Sequence, residues 1–332
     1  EFQINTHTPG PQIVPSVAPL TDGGFVVTWQ SSNQDGSGPG VFGQRYDASG
    51  SAAGAEFQIN TYTTSYQGQP SVTSLADGGF VVTWQSLNQD GDGGGVFGQR
   101  YDAAGVAAGG EFQVNTHTTD FQDTSSVTSL TDGGFIVTWR SAGQDGSSSG
   151  VFGQRYDSSG IAVSGEFQIN TYTSGDQGTP VVTSLRDGGF VVTWQSLDQD
   201  GDGGGIFGQR YDVLGTAVGG EFQVNTQTQR SQYEPSVTNL TAGIFNGGAD
   251  IISGGAGDDI IDGGAGADII AGGADADTIE GSTGDDTIKG DAGDDILYGE
   301  AGADTLSGGD DADVLYGGTE ADHLSGDAGA DT

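Results

Sequence analysis

GGAGDDIID at residues 254–262 is followed without insertion by GGAGADIIA at 263–271 and GGADADTIE at 272–280, and the register continues to GDAGADT at 326–332. So regular a nine-residue period makes repetition the first fact to explain. In the form G-G-x-G-x-D-x-U-x, the sixth position is Asp259, Asp268, Asp277, Asp286, Asp295, Asp304, Asp313, Asp322 and Asp331. The large aliphatic U position is Ile261, Ile270, Ile279, Ile288, Leu297, Leu306, Leu315 and Leu324. The glycines permit tight turns, and each x-U-x is a short strand with its aliphatic side chain directed into a thin core. Two nonapeptides complete one coil turn. The aspartates then stack in two columns, 259-277-295-313-331 and 268-286-304-322.

Carboxylates one strand spacing apart repel strongly unless a cation lies among them. Calcium suits such a site, because it accepts six to eight oxygens in a flexible shell, whereas magnesium demands strict octahedral geometry. No nitrogen or sulfur cluster invites zinc. The nonapeptides resemble the calcium-binding repeats of RTX proteins, the hemolysin-type and serralysin-type β-rolls, over roughly the last 87 residues. That resemblance implies that Asp259 and its equivalents are calcium ligands, joined by backbone carbonyls of Gly254, Gly257, Gly263, Gly266 and their counterparts. It also implies export by type I secretion, guided by a C-terminal signal. The pattern is broken at the fourth position by Asp275, Asp311 and Glu320, and at the second by Ser282, Asp291, Glu300 and Asp327, where strained turns or weaker sites are expected.

The first 240 or so residues repeat with a period of 55: EFQIN or EFQVN starts at Glu1, Glu56, Glu111, Glu166 and Glu221, and DGGF at Asp22, Asp77, Asp132 and Asp187. Each unit holds four strand-like segments, of the types PSVTSL, GGFVVTWQS, GVFGQRYD and GEFQIN, between Gly/Asp/Asn/Ser-rich separators. In FVVTWQ the alternation sets Phe25, Val27 and Trp29 on one face, expected to be the core face, opposite Val26, Thr28 and Gln30. Four strands in such a unit match a β-propeller blade. The units resemble tandem modules of large secreted bacterial surface proteins. A closed ring, an open stack of blades and a solenoid all fit the period.

Other residues carry candidate chemistry. Asp198, Asp200 and Asp202 in DQDGDG, and Asn88, Asp90 and Asp92 in NQDGDG, have the alternate spacing of calcium loops, though the same letters describe an Asx turn. Repeats one and three keep only Asp35 and Asp145. Trp29, Trp84, Trp139 and Trp194 are core residues by their strand face, with sugar stacking the alternative. Arg45, Arg100, Arg155 and Arg210 stand two residues before Asp47, Asp102, Asp157 and Asp212, which predicts an ion-pair ladder along one strand face, with an anion site the alternative. His7 is replaced by Tyr62, Tyr172 and Gln227 in other repeats, which is unlike a catalytic base.

A formal charge of −38 opposes binding to nucleic acid or anionic membranes and opposes compaction without cations. There is no cysteine, no apolar run long enough to span a membrane, and no signal peptide in EFQINT, so the chain reads as a mature piece of something longer. The expectation is an all-β repeat protein with propeller-like four-stranded blades over 1–244 and a calcium-binding parallel β-roll over 245–332. Its expected role is structural or adhesive, extracellular or at the cell surface, without catalysis. Calcium is the expected partner, with a surface or matrix polysaccharide and self-association after it. The alternatives are a lectin-like carbohydrate-binding propeller, or a piece of a larger exported enzyme or adhesin.

Overall fold

A computed structural model describes residues 2–185, 187–201, 203–225, 232, 235, 251–256 and 259–332. All their regular structure is β, so no helix among them is long and apolar enough to cross a membrane. The chain divides into two compact units, Glu1–Asn239 and Leu240–Thr332. The expected boundary at 244/245 falls outside the described residues.

The first unit is four antiparallel blades, each a four-stranded meander in sequence order. Blade 1 is β1 (Gln12–Pro19), β2 (Phe25–Ser32), β3 (Pro39–Tyr46) and β4 (Phe57–Gln58). Blade 2 is β5 (Gln67–Ser74), β6 (Phe80–Leu87), β7 (Gly94–Tyr101) and β8 (Phe112–Gln113). Blade 3 is β9 (Gln122–Ser129), β10 (Phe135–Ala142), β11 (Ser149–Tyr156) and β12 (Phe167–Gln168). Blade 4 is β13 (Gln177–Ser184), β14 (Phe190–Leu197), β15 (Gly204–Tyr211) and β16 (Ala217–Gln223). The register of each first strand shifts at a bulge, where Val14, Gln69, Thr124 and Thr179 take positive φ.

The alternation expected in FVVTWQ is present, but both faces are core. On β6, Phe80, Val82 and Trp84 pack against Val26 and Val41 of blade 1, while Val81 packs toward Phe135, Val137 and Trp139 of blade 3. The same exchange joins Ile136 and Val151 to Phe190, Val192 and Trp194. A blade between two others has no solvent face, so the second face of β6, Val81, Thr83 and Gln85, is buried as well. Among the described residues the packed blade pairs are consecutive ones.

Hydrogen bonds close each unit. The Thr6 N–H and hydroxyl donate to Glu56 Oε2 at 2.6 and 2.8 Å, and Gln34 donates its amide to Glu56 Oε1. Thr61, Thr116 and Thr171 hold Glu111, Glu166 and Glu221 likewise. The ladder predicted along the third strand does not form. Arg45 pairs with Asp22 at 3.2 Å and Arg100 with Asp77 at 3.2 Å, in the turn after the first strand; Arg155 pairs with Asp132 and Arg210 with Asp187. Asp47 instead caps its own turn, accepting the Ser49 and Ser51 N–H groups, and a turn satisfied locally leaves the arginine to reach across.

The second unit is a parallel coil with two sheets. One runs β17 (Ile251–Ala256), β19 (Ile269–Ala274), β21 (Thr287–Ala292), β23 (Thr305–Asp310) and β25 (His323–Ala328). The other runs β18 (Ile260–Asp262), β20 (Thr278–Glu280), β22 (Ile296–Tyr298) and β24 (Val314–Tyr316). Paired strands stand 18 residues apart, as Ile270 on Ile288 and Ile279 on Leu297. The U residues form the core: Ile270, Ile279, Ile288, Leu297 and Leu306 are fully buried, and Leu324 at the last coil is exposed. Asp275, Ser282, Asp291, Glu300, Asp311, Glu320 and Asp327 all hold the positive φ that glycine holds elsewhere, as expected of the broken positions.

Candidate metal centre

The coil brings the sixth-position aspartates together as the period predicts. Asp268, Asp277, Asp286, Asp295, Asp304 and Asp313 are buried; Asp259, Asp322 and Asp331, toward the ends of the columns, are half-buried. The N–H of Asp259 donates to Asp277 Oδ1 at 2.8 Å, that of Asp277 to Asp295, that of Asp295 to Asp313 and that of Asp313 to Asp331. The second column follows the same rule from Asp268 through Asp286 and Asp304 to Asp322. Oδ1 is thus committed to the fold. At Asp286, Asp295, Asp304 and Asp313 the buried Oδ2 has no hydrogen-bond partner, which is costly for a charged oxygen.

Each of these Oδ2 atoms turns toward the first-position glycine of its own nonapeptide. At Gly281 an added Cβ would meet Asp286 Oδ2 at 2.5 Å and the Gly299 carbonyl oxygen at 3.1 Å. At Gly299 it would meet Asp304 Oδ2 at 2.5 Å and the Gly317 carbonyl oxygen at 2.5 Å. A carboxylate oxygen and a carbonyl oxygen of the next coil therefore converge where a side chain has no room. An all-oxygen donor set with uncommitted lone pairs fits a hard cation such as calcium. Burial pushes the Asp286 carboxyl up to about 6; the Asp268 N–H pulls it down, and the charges of Asp268, Asp304 and Asp285 add to the rise. Asp295, Asp304 and Asp313 are raised for the same leading reason.

The glycines behave less uniformly. Gly263 is buried with Asp268 Oδ2 and the Gly281 carbonyl beside it, and the Gly266 carbonyl faces the α-carbon of Gly284. Gly254 belongs to β17, and Gly257 lies outside the described residues.

In the blade loops the central aspartates make Asx turns. Asp35 Oδ1 accepts the Ser37 N–H at 3.0 Å and Asp145 Oδ1 the Ser147 N–H at 3.0 Å, while Asp90 accepts that of Asp92 at 3.5 Å. Asn88 and Asp198 sit at positive φ with their N–H groups donated to Gly93 and Gly203. Asp200 lies against Gly205, and Asp202 is outside the described residues. Among the described residues no three acidic or histidine side chains converge as a ready metal cluster.

One feature of the blades departs from the repeat. Gln30, Gln85 and Gln195 are matched in blade 3 by Arg140, and Gly68 and Gly178 by Asp123. The two make a bidentate pair at 2.8 and 2.7 Å in a cleft of about 520 Å3 lined also by Tyr66, Gln69, Gln85 and Phe121. Comparing the copies position by position is the signal that finds it. Trp84, Trp139 and Trp194 are fully buried in the blade cores, and Trp29 is nearly so, with one edge on a hollow beside Ile13 and Val27.

The profile of the RTX calcium-binding nonapeptide repeat family matches residues 246–279, 272–306 and 307–332. No curated protein matches the chain. Solved structures similar to it include an endo-arabinase from Bacteroides thetaiotaomicron, at 14% identity and TM-score 0.41, over 69% of this chain and 81% of that one. An α-L-arabinofuranosidase of Fusarium graminearum with arabinobiose follows at 12% and TM-score 0.47, over 64% and 66%. The Hadza microbial sialidase stands at 10% and 0.44, over 66% and 47%. The expectation of a non-catalytic chain is withdrawn, since an arabinase and arabinofuranosidases are among the similar solved structures. At such identities and scores the likeness assigns no activity to this chain. Residues 246–332 match the RTX calcium-binding nonapeptide repeat, which supports calcium binding by this segment.

Proposed function

We propose that the segment 245–332 is a calcium-dependent roll which folds outside the cell as part of a secreted structural or adhesive protein, whose residues 1–244 form a blade region. The observation that carries this reading is the pair of aspartate columns, whose Oδ1 atoms are held by the coil while the Oδ2 atoms of Asp286, Asp295, Asp304 and Asp313 are buried without partners. Asp259, Asp268, Asp277, Asp286, Asp295, Asp304, Asp313, Asp322 and Asp331 would hold the ions with glycine carbonyls of adjoining coils. Bound calcium supplies the charge that lets stacked carboxylates stay ionised in the interior. Because the coil forms the site, binding free energy is folding free energy. Where calcium is scarce the roll stays unfolded for export, and where it is abundant mass action locks it.

The test is a calcium titration of the full chain followed by calorimetry and far-UV circular dichroism, with magnesium as control. Several calcium ions bound with a gain of β signal support the reading; no response, or an equal response to magnesium, sinks it. Calcium sites in the loops at Asn88, Asp90 and Asp92 and at Asp198, Asp200 and Asp202 are part of the same proposal. Their test is binding stoichiometry before and after Asp90→Asn and Asp200→Asn.

A second reading, carbohydrate binding, is favoured by the cleft between blades 2 and 3. Arg140, Asp123 and Gln85 offer planar hydrogen-bonding groups beside Tyr66 and the half-exposed Phe121 ring, a combination suited to a sugar's edge and face. Retardation in gels containing soluble polysaccharides, abolished by Phe121→Ala, would support it. Equal mobility with and without every polysaccharide would end it.

A further inference from the structure

One position of the second strand faces the next blade at each junction, and what it meets there differs from copy to copy. At the first junction the buried Gln30 accepts the Tyr66 hydroxyl at 2.9 Å and lies over Gly68, which has no side chain to displace it. At the third junction Arg140 lies over Gly178, its Cδ 2.8 Å from where a Cβ would stand, and the charges of Asp123 and Asp176 both bear on it. The second junction carries Phe121 where the first has Tyr66, and Asp123 where the first has Gly68. Phe121 has no hydroxyl to give, and Asp123 binds Arg140 through both oxygens, at 2.8 and 2.7 Å. Gln85 is left 8% exposed, with no hydrogen bond from its amide to any described residue. A buried amide without a partner is destabilising, and this one lines a cleft of about 520 Å3 beside the Phe121 ring, which is 47% exposed. Gln69, at the bulge of β5, lines the same cleft, and its buried Oε1 has no partner either.

We propose that this cleft selects an uncharged sugar over an acidic one, with Gln85 as the residue that reads it. The inference rests on the carbohydrate reading and narrows it. The Gln85 amide offers a donor and an acceptor side by side, which adjacent hydroxyls of a neutral sugar satisfy together, since each hydroxyl both donates and accepts. Gln69 Oε1 takes a further hydroxyl proton. Of the five N–H groups of a guanidinium, Arg140 gives only two to Asp123, so donors remain for sugar oxygens. The exposed Phe121 ring supplies an apolar face for the C–H side of a pyranose. Charge sets the selection. Asp123 already neutralises Arg140, Asp176 lies close by, and the chain as a whole carries −38, so the carboxylate of a sugar acid would enter a field of its own sign. The neighbouring junctions lack the site, because Gln30 is paired with Tyr66 and Arg140 is held by carboxylates.

Affinity electrophoresis of the full chain in calcium tests it, with a neutral glucan, galactan and mannan in one set of gels and polygalacturonate and alginate in another. Two variants accompany the wild type. The double change Asp123→Gly with Arg140→Gln gives blade 3 what blade 2 carries at the same places, Gly68 and Gln85, so the fold is expected to be kept. Gln85→Met keeps the size and removes the amide, and is expected to leave the thermal midpoint unchanged or raise it, because an unpaired buried amide is lost. At least one neutral polysaccharide is expected to retard the wild type, with its dissociation constant raised about tenfold or more in each variant. An acidic polysaccharide whose retardation of the wild type is lost in the double variant, and so is no calcium bridge to the roll, overturns the selection and leaves carbohydrate binding standing. Neutral retardation that both variants retain overturns the cleft as its site. So does a Gln85→Met chain that melts well below the wild type, since the amide would then have had a partner. No retardation by any polysaccharide ends the carbohydrate reading and this inference with it.

Discussion

At a sixth-position aspartate the two oxygens of one carboxylate have different fates. In Asp304, Oδ1 accepts the Asp286 N–H at 2.8 Å from the coil before, and Oδ2 lies over Gly299. Position one therefore requires glycine for space rather than for φ. Gly299→Ala is expected to raise the calcium concentration at half-saturation of the roll by about tenfold or more, since a steric cost of even ~1.4 kcal/mol is tenfold in binding. Gly165→Ala, where nothing lies within 4 Å, is the control that should leave it unchanged in the same calorimetric titration. Position two is the opposite case. Glu300 holds φ +72, so Glu300→Gly should stabilise the calcium-loaded roll by about 1 kcal/mol, the left-handed penalty less the entropy cost of glycine, read from its thermal midpoint.

At the scale of the element, the two repeats respond to acid with opposite sign. In the blades, burial raises the Glu56 carboxyl, but the hydrogen bonds from Thr6 and Gln34 outweigh it and hold it below the ordinary glutamate value. A depressed carboxylate contributes stability above its unfolded value, lost as pH falls through the folded one. In the calcium-free roll, burial lifts Asp286 from 3.8 to about 6, so the folded coil is penalised above that pH and relieved as pH falls toward the unfolded value. Acidifying calcium-stripped protein from neutrality to about pH 5 should stabilise the roll, while going below about pH 4 should weaken the blades. Circular dichroism melts across that range check both signs. With calcium present the roll should reverse, because protons compete for the same oxygens.

For the whole molecule, the two compact units predict two events on heating the calcium-loaded chain, with chelation removing only the roll's. A single transition abolished entirely by chelation would contradict it. What the sequence by itself determined here is whatever recurs over short distances: the nine-residue register, the aspartate columns, the aliphatic core and the four strands of a blade. Those are local because a coil or a hairpin repeats the same neighbours. What only the tertiary structure decided depends on partners far along the chain. Thr6 reaches Glu56 across 50 residues, Arg45 chooses Asp22 over the nearby Asp47, and β6 buries both faces because a blade stands on either side of it. The Arg140–Asp123 cleft likewise exists only once blades are placed side by side. Alternation along a strand says which residues share a face. Packing across blades decides what each face meets.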